Sequence, residues 1–186
     1  MSTSPTVARV MTRLVMTIAP EARLDEAARL MREWHVSGLP VVDEKGQLVG
    51  VVSEKDLVED LHKVAGISLP RGLLDLLLGS SSPKGQNLLE VCQNRLRNTR
   101  VREVMTAPAT TVTPETPLME AARLLKSRGV SRLPVLDADN HVVGILTRRD
   151  IADDLSDGPK RARGSMHPRH HPPSTSTEPT DAFQDN

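Results

Sequence analysis

The chain repeats itself. Displaced by 94 residues, Val10-Met11-Thr12 falls on Val104-Met105-Thr106, and Glu26-Ala27-Ala28-Arg29-Leu30 on Glu120-Ala121-Ala122-Arg123-Leu124. Leu39-Pro40-Val41 falls on Leu133-Pro134-Val135, Val49-Gly50 on Val143-Gly144, and Asp56 on Asp150. From residue 10 to 57, 21 of 48 positions agree without a gap. A match of that length at one fixed displacement marks a duplicated structural unit. Residues 1–20, with Arg9, Arg13 and no acid, superficially suit an organelle transit peptide. Because Val10-Met11-Thr12 recurs inside the chain, we read Val10 onward as the first strand region of copy one.

Each copy reads strand, helix, strand, strand, helix. Thr17-Ile18 and Thr111-Val112 are short extended segments stopped by Pro20 and Pro114. Leu24, Ala27, Ala28 and Met31, and then Leu118, Ala121, Ala122 and Leu125, recur at spacings of three and four and predict an amphipathic helix in each copy. Strands over 39–43 and 48–52 flank a turn marked by Gly46, whose place in copy two is served by Asp139-Asn140. The second strands are apolar runs without strict alternation, as buried sheets prefer. The expected class is α/β (α+β), with the units at 8–66 and 101–155. Residues 67–100 have no repeat partner and read as two helices, around Leu73–Leu78 and Leu88–Leu96. Residues 156–186 lack periodicity and carry the Pro, Ser, Thr and charge of a disordered tail.

The most informative spacing is the strand-to-helix junction, Gly50-Val51-Val52-Ser53-Glu54-Lys55-Asp56 and Gly144-Ile145-Leu146-Thr147-Arg148-Arg149-Asp150. A hydroxyl followed by a carboxylate three residues later resembles a capping box, which contributes about 1 kcal/mol and needs no ligand. The same groups also suit a nucleotide. A helix N-terminus seats phosphate, the hydroxyl adds a donor, and an ionised Asp accepts from two sugar hydroxyls. Gly50 and Gly144 would then clear space for backbone and ligand to approach.

Composition narrows the rest. The formal charge is zero, 24 Lys and Arg against 24 Asp and Glu, and the aromatics are Trp34 and Phe183 alone. Single-stranded nucleic acid needs stacking platforms, so a nucleic-acid partner is not expected. No run reaches the eighteen or so apolar residues of a membrane span. The single cysteine, Cys92, excludes an intrachain disulfide and fits a reducing compartment, so cytoplasmic residence is expected. Cys92 lies on an apolar helical face and reads as packing rather than as a nucleophile. His167, His170 and His171 cluster only in the tail, and no metal site is expected.

These motifs together resemble tandem cystathionine-β-synthase-type (CBS) domains, the pair called a Bateman module. The resemblance rests on Val-Met-Thr at 10 and 104, on Ser37-Gly38-Leu39-Pro40-Val41-Val42-Asp43 with Ser131-Arg132-Leu133-Pro134-Val135-Leu136-Asp137, and on the two junctions. It implies two β-α-β-β-α units packed about a pseudo-two-fold axis, with clefts between them for AMP, ADP, ATP or S-adenosylmethionine as regulatory ligand. It further implies that Asp56 and Asp150 bind ribose hydroxyls and that Ser53 and Thr147 contact phosphate. Thr17, Ile18, Leu39 and Pro40 would flank one adenine, and Thr111, Val112, Leu133 and Pro134 the other.

Arg148 and Arg149, against Glu54 and Lys55 in copy one, favour polyphosphate at the Asp150 site. Arg132, standing where copy one has Gly38, either partly fills the pocket or grips a phosphate. The resulting expectation is a non-catalytic sensor, a homodimer by resemblance, acting on an unidentified regulated protein and needing no catalytic cofactor. A ligand-independent interaction scaffold is the alternative. The enzyme to which CBS pairs are often attached, inosine monophosphate dehydrogenase, needs a barrel of roughly 250 residues, for which the chain has no room.

Overall fold

Helix α2 (Leu24–Glu33) forms where its apolar stripe lies, with Leu24, Ala27, Ala28 and Met31 all buried. In copy two, α6 (Leu118–Ser127) buries Leu118, Ala121 and Leu125 in the same way. The computed structural model describes residues 5–65 and 86–157. Each copy pairs two antiparallel strands, β1 (Gly38–Val42) with β2 (Leu48–Ser53) and β3 (Arg132–Leu136) with β4 (Val142–Thr147). The registers match across the repeat: Val41 faces Gly50 as Val135 faces Gly144, and an irregularity follows each pair. At the turn, Gly46 (φ 78°) and Asn140 (φ 63°) share the left-handed conformation, which glycine adopts freely and asparagine tolerates.

The first strand of each copy shrinks to one residue, Ile18 beside Val41 and Val112 beside Val135, both parallel. Helices α3 (Glu54–Ala65) and α7 (Arg148–Asp157) complete the two units. The expected β-α-β-β-α order is therefore present twice.

The segment that opens each copy departs from expectation. Residues Val7–Val10 form a helical turn, α1, rather than a strand of copy one. Val7 and Met11, one turn apart, sink into the core of copy two with Val112, Leu118, Leu133 and Leu146. In exchange α5 (Val101–Val104) delivers Val101, with Met105 packed alongside, to the core of copy one. The crossing segments then join the opposite sheets. Thr12 N–H donates to the Ile145 carbonyl and Ile145 N–H to that of Thr12, both at 2.9 Å, while Thr106 and Val51 exchange the equivalent pair at 2.9 and 3.1 Å.

This crossing explains the two glycines differently from the sequence reading. A β-carbon on Gly50 would stand 2.8 Å from Met105 Sδ and 3.0 Å from the Thr106 carbonyl oxygen. One on Gly144 would stand 2.6 Å from Met11 Sδ. The space the glycines leave is filled by methionine from the other copy, not kept for a ligand.

Helix α4 (Gln86–Asn98) lies against α2 and α3 and adds Cys92 and Leu96 to the first core. Arg95 fastens it, donating from Nε and Nη2 to the two carboxylate oxygens of Asp60 at 2.8 Å each. The Asp60 side chain is only 8% exposed, which makes the fork a partly buried pair. The helix expected around Leu73–Leu78 and the tail beyond 157 lie outside the described residues.

Two substitutions check this packing by urea denaturation. Gly50→Ala forces the Thr106 backbone off Val51 and should cost about 1–3 kcal/mol. Asp60→Ala strands Arg95 and should cost about 2 kcal/mol, below the value for a fully buried pair because the arginine is partly solvated. Wild-type midpoints for both would refute the packing described.

Candidate functional site

A cleft of about 410 Å³ opens where the two copies meet. One wall is the β2–α3 junction, with Val51, Ser53, Glu54, Lys55 and Asp56. The other comes from copy two, with Thr106, Pro108, Ala109 and Thr110 on the crossing segment and residues 129–132 with Arg148 behind them. The wall facing Asp56 therefore exists because the segment before copy two crosses to copy one.

The junction carboxylates are folded onto their own helix starts. Asp56 Oδ2 accepts from the Ser53 amide at 2.7 Å and from Ser53 Oγ at 2.6 Å. Asp150 Oδ2 does the same with Thr147, both distances being 2.7 Å. The amide-to-carboxylate contact is the half of a capping box expected from the spacing, while the hydroxyl donates to the same carboxylate oxygen and leaves the other one outside the cap. The other oxygen of Asp56 faces the cleft wall, with Thr106 Oγ1 at 3.5 Å.

Arg132 crosses the pseudo-two-fold axis. Its Nη1 donates to the Gly38 carbonyl at 2.8 Å and its Nη2 to Ser37 Oγ at 2.6 Å, so the side chain is buried on copy one while its tip lines the cleft. A β-carbon on Gly38 would lie 2.7 Å from that Nη1, so glycine at one copy makes room for arginine from the other. Burial holds the guanidinium below its ordinary value, and the fields of Glu54 and Asp56 raise it.

Of the residues singled out in the sequence, the cleft gathers Ser53, Asp56, Arg132 and Arg148. Ile18, Leu39, Pro40, Val112, Leu133 and Pro134 are buried, and Thr17 and Thr111 are half-buried. None of these eight lines the cleft. Thr147, Arg149 and Asp150 belong to the second junction and are likewise outside it. Arg148 turns to the end of α6, where Nε and Nη2 donate to the carbonyls of Val130 and Leu125 at 3.2 Å each. It thus lines the Asp56 cleft instead of reaching toward Asp150.

Sequence reasoning missed Pro108, Ala109, Thr110 and Ser131. The Val-Met-Thr repeat leads straight into three of them, but nothing in it shows which copy they face.

Two other features resolve into structure. Asp137, Asp139 and His141 bring ligand atoms within 4.8 Å of one another, but Asp137 Oδ1 is engaged by the amides of Asp139 and His141 at 2.9 Å each. Those bonds, His141's first, hold its carboxyl below the usual range and shape the β3–β4 turn. Burial pushes the Cys92 thiol up, as suits a packing residue.

The chain belongs to the CBS-domain family, whose model matches residues 7–63 and again 101–157. The CBS domain-containing protein CBSX2, chloroplastic, of Arabidopsis thaliana is 38% identical over 136 residues, 72% of this chain and 56% of that protein. The chain thus spans little more than half of that relative. Uncharacterized protein MJ1426 of Methanocaldococcus jannaschii is 34% identical over 139 residues, 71% of this chain and 80% of that protein. The crystal structure of CBSX2 in complex with AMP matches with a TM-score of 0.59 at 32% identity, covering 81% of this chain and 95% of that chain.

The environment of Cys92 makes a direct expectation. In native protein its thiol should fail to react with a thiol-specific chromogenic disulfide, and it should react fully in urea. Rapid labelling of the folded chain would show that α4 does not dock its Cys92 face on α2 and α3.

Proposed function

We propose that the chain is a non-catalytic regulatory module that takes an adenosine-containing ligand, AMP, ADP, ATP or S-adenosylmethionine, in the cleft between its CBS copies. The observation that carries the reading is the convergence on one cleft of a carboxylate with one oxygen outside its cap, a helix start and a buried guanidinium. Support also comes from a relative of the same fold that is solved with AMP. Asp56 would receive the ribose hydroxyls and Ser53 would meet phosphate. Val51, Pro108 and Ala109 offer an apolar face for adenine. Pro40 stands beside Val51 as its partner across the strands. By the offset of the repeat we extend these two parts to Asp150 and Thr147 at the second junction, where Arg149 stands at the position of Lys55.

Among the described residues no helix is long and apolar enough to cross a membrane. In this reading the module is a cytoplasmic homodimer that acts on a regulated protein. Ligand that prefers one arrangement of the copies would change how they pack, and only such a preference can carry a signal.

The scaffold reading draws on two observations: both aspartates already cap their helices, and Arg132 already stitches the copies. Thermal unfolding with each adenylate separates the two. A ligand at 100 times its dissociation constant should stabilise the fold by about 2.7 kcal/mol. Asp56→Ala should remove that gain while costing the free protein about 1 kcal/mol through the lost cap. Unchanged melting with every adenylate leaves the scaffold.

A further inference from the structure

The repeat gives each copy a pair of helices, and the two pairs are covered unequally. In copy one α4 lies against α2 and α3 and packs Cys92 and Leu96, one turn apart, among Ala28, Met31 and Leu57. The residues of copy two at those three positions are Ala122, Leu125 and Ile151. They line an open groove of about 250 Å³ between α6 and α7, with Lys126 and Arg148 at its edge. Among the described residues no helix stands to α6 and α7 as α4 stands to α2 and α3. The alanines record the difference: Ala28 is 1% exposed, whereas Ala122 is half-buried. Met119, one turn before Ala122 on α6, prolongs the apolar strip and is 58% exposed.

Copy one displays the kind of occupant such a groove accepts, an amphipathic helix anchored by a small apolar residue and a leucine at i and i+4. The charges at the edge differ between the copies. Arg32 and Glu54 cancel, but their counterparts Lys126 and Arg148 are both cations. Gln93 of α4 borders the same cavity as Arg32. A helix seated in the same way on copy two meets Lys126 at that place, where a carboxylate is the complementary group. A second copy of this face would bring the same two cations and oppose itself.

We infer that the α6–α7 groove docks an amphipathic helix of a partner protein, with apolar residues at i and i+4 and an acidic residue between them. Arg148 lines this groove and the Asp56 cleft alike, so one side chain borders both the docked helix and the cleft.

Fluorescence anisotropy of the full chain with two labelled probes tests it. The parent probe is a helix-stapled peptide of residues 86–98 carrying Cys92→Ala, and the acidic probe adds Gln93→Glu. Both should bind at one per chain, the acidic probe roughly two- to fivefold tighter, the span of an exposed charge pair. Ala122→Arg, which fills the groove, should weaken both at least tenfold. Lys126→Glu changes an exposed side chain and decides the matter if Ala122→Arg unfolds; it should reverse the order of the two probes.

If neither probe binds, or if binding ignores Ala122→Arg and Lys126→Glu, the inference fails. A wild-type dimer that Ala122→Arg dissolves gives the face to a second copy and overturns it as well. So does binding that emerges only once residues 158–186 are removed, because the chain's own tail then fills the groove. Titration with adenylates is independent of all these outcomes: its failure ends the adenosine reading and leaves the docked helix standing.

Discussion

The architecture depends on an exchange of chain between the two copies. Val7 and Met11 complete the core of copy two, and Val101 completes that of copy one. Each such side chain taken out of water contributes roughly 1.5–3 kcal/mol. Without the crossing, the outer edges of β2 and β4 would present unpaired backbone, a liability for a strand edge. With it, Thr106 and Thr12 close those edges, and the ion pair of Arg9 with Asp154 fastens α1 to α7 at 3.1 Å. The relative position of the copies, and hence the shape of anything between them, is set by these two strips of backbone.

That exchange also marks the limit of what the sequence disclosed. Helices α2 and α6 were legible because four apolar residues at helical spacing can hide from water in only one way. The hairpins were legible from apolar runs interrupted by Gly46 and Asn140. The junction cap was legible because hydroxyl and carboxylate lie within one turn. Crossing is different, because it is symmetric: a repeat at an offset of 94 looks the same whether each opening segment packs on its own copy or on the other. Local spacing carries no information about that choice, and so Gly50 and Gly144 were assigned to a ligand when methionine fills their space. Arg148 failed for a related reason. Its neighbours in sequence belong to the second junction, but a long side chain reaches wherever carbonyls are short of donors, here the end of α6.

Duplication gives the two junctions the same plan, and a few substitutions then make them unequal. Copy one carries α4 on its helices, tied by Asp60 and Arg95, and gives up a side chain at Gly38. Copy two spends that room on Arg132, and its crossing segment supplies Pro108 where copy one has Leu14. The CBS plan is common to both copies, and these local differences set them apart. Half of the adenine-flanking residues implied by the resemblance, Ile18, Leu39, Val112 and Leu133, lie within the two cores, and the open wall of the Asp56 cleft comes from the crossing segment.

The interleaving of the halves constrains how the polypeptide matures at the ribosome. The first half cannot finish packing when its own last helix emerges, because the wedge it requires, Val101, is still dozens of codons away. Its opening strip, meanwhile, has to stay undocked until a partner that does not yet exist is made. Folding therefore closes in one late step that consummates both halves together, and the waiting time between them is the length of the inserted segment.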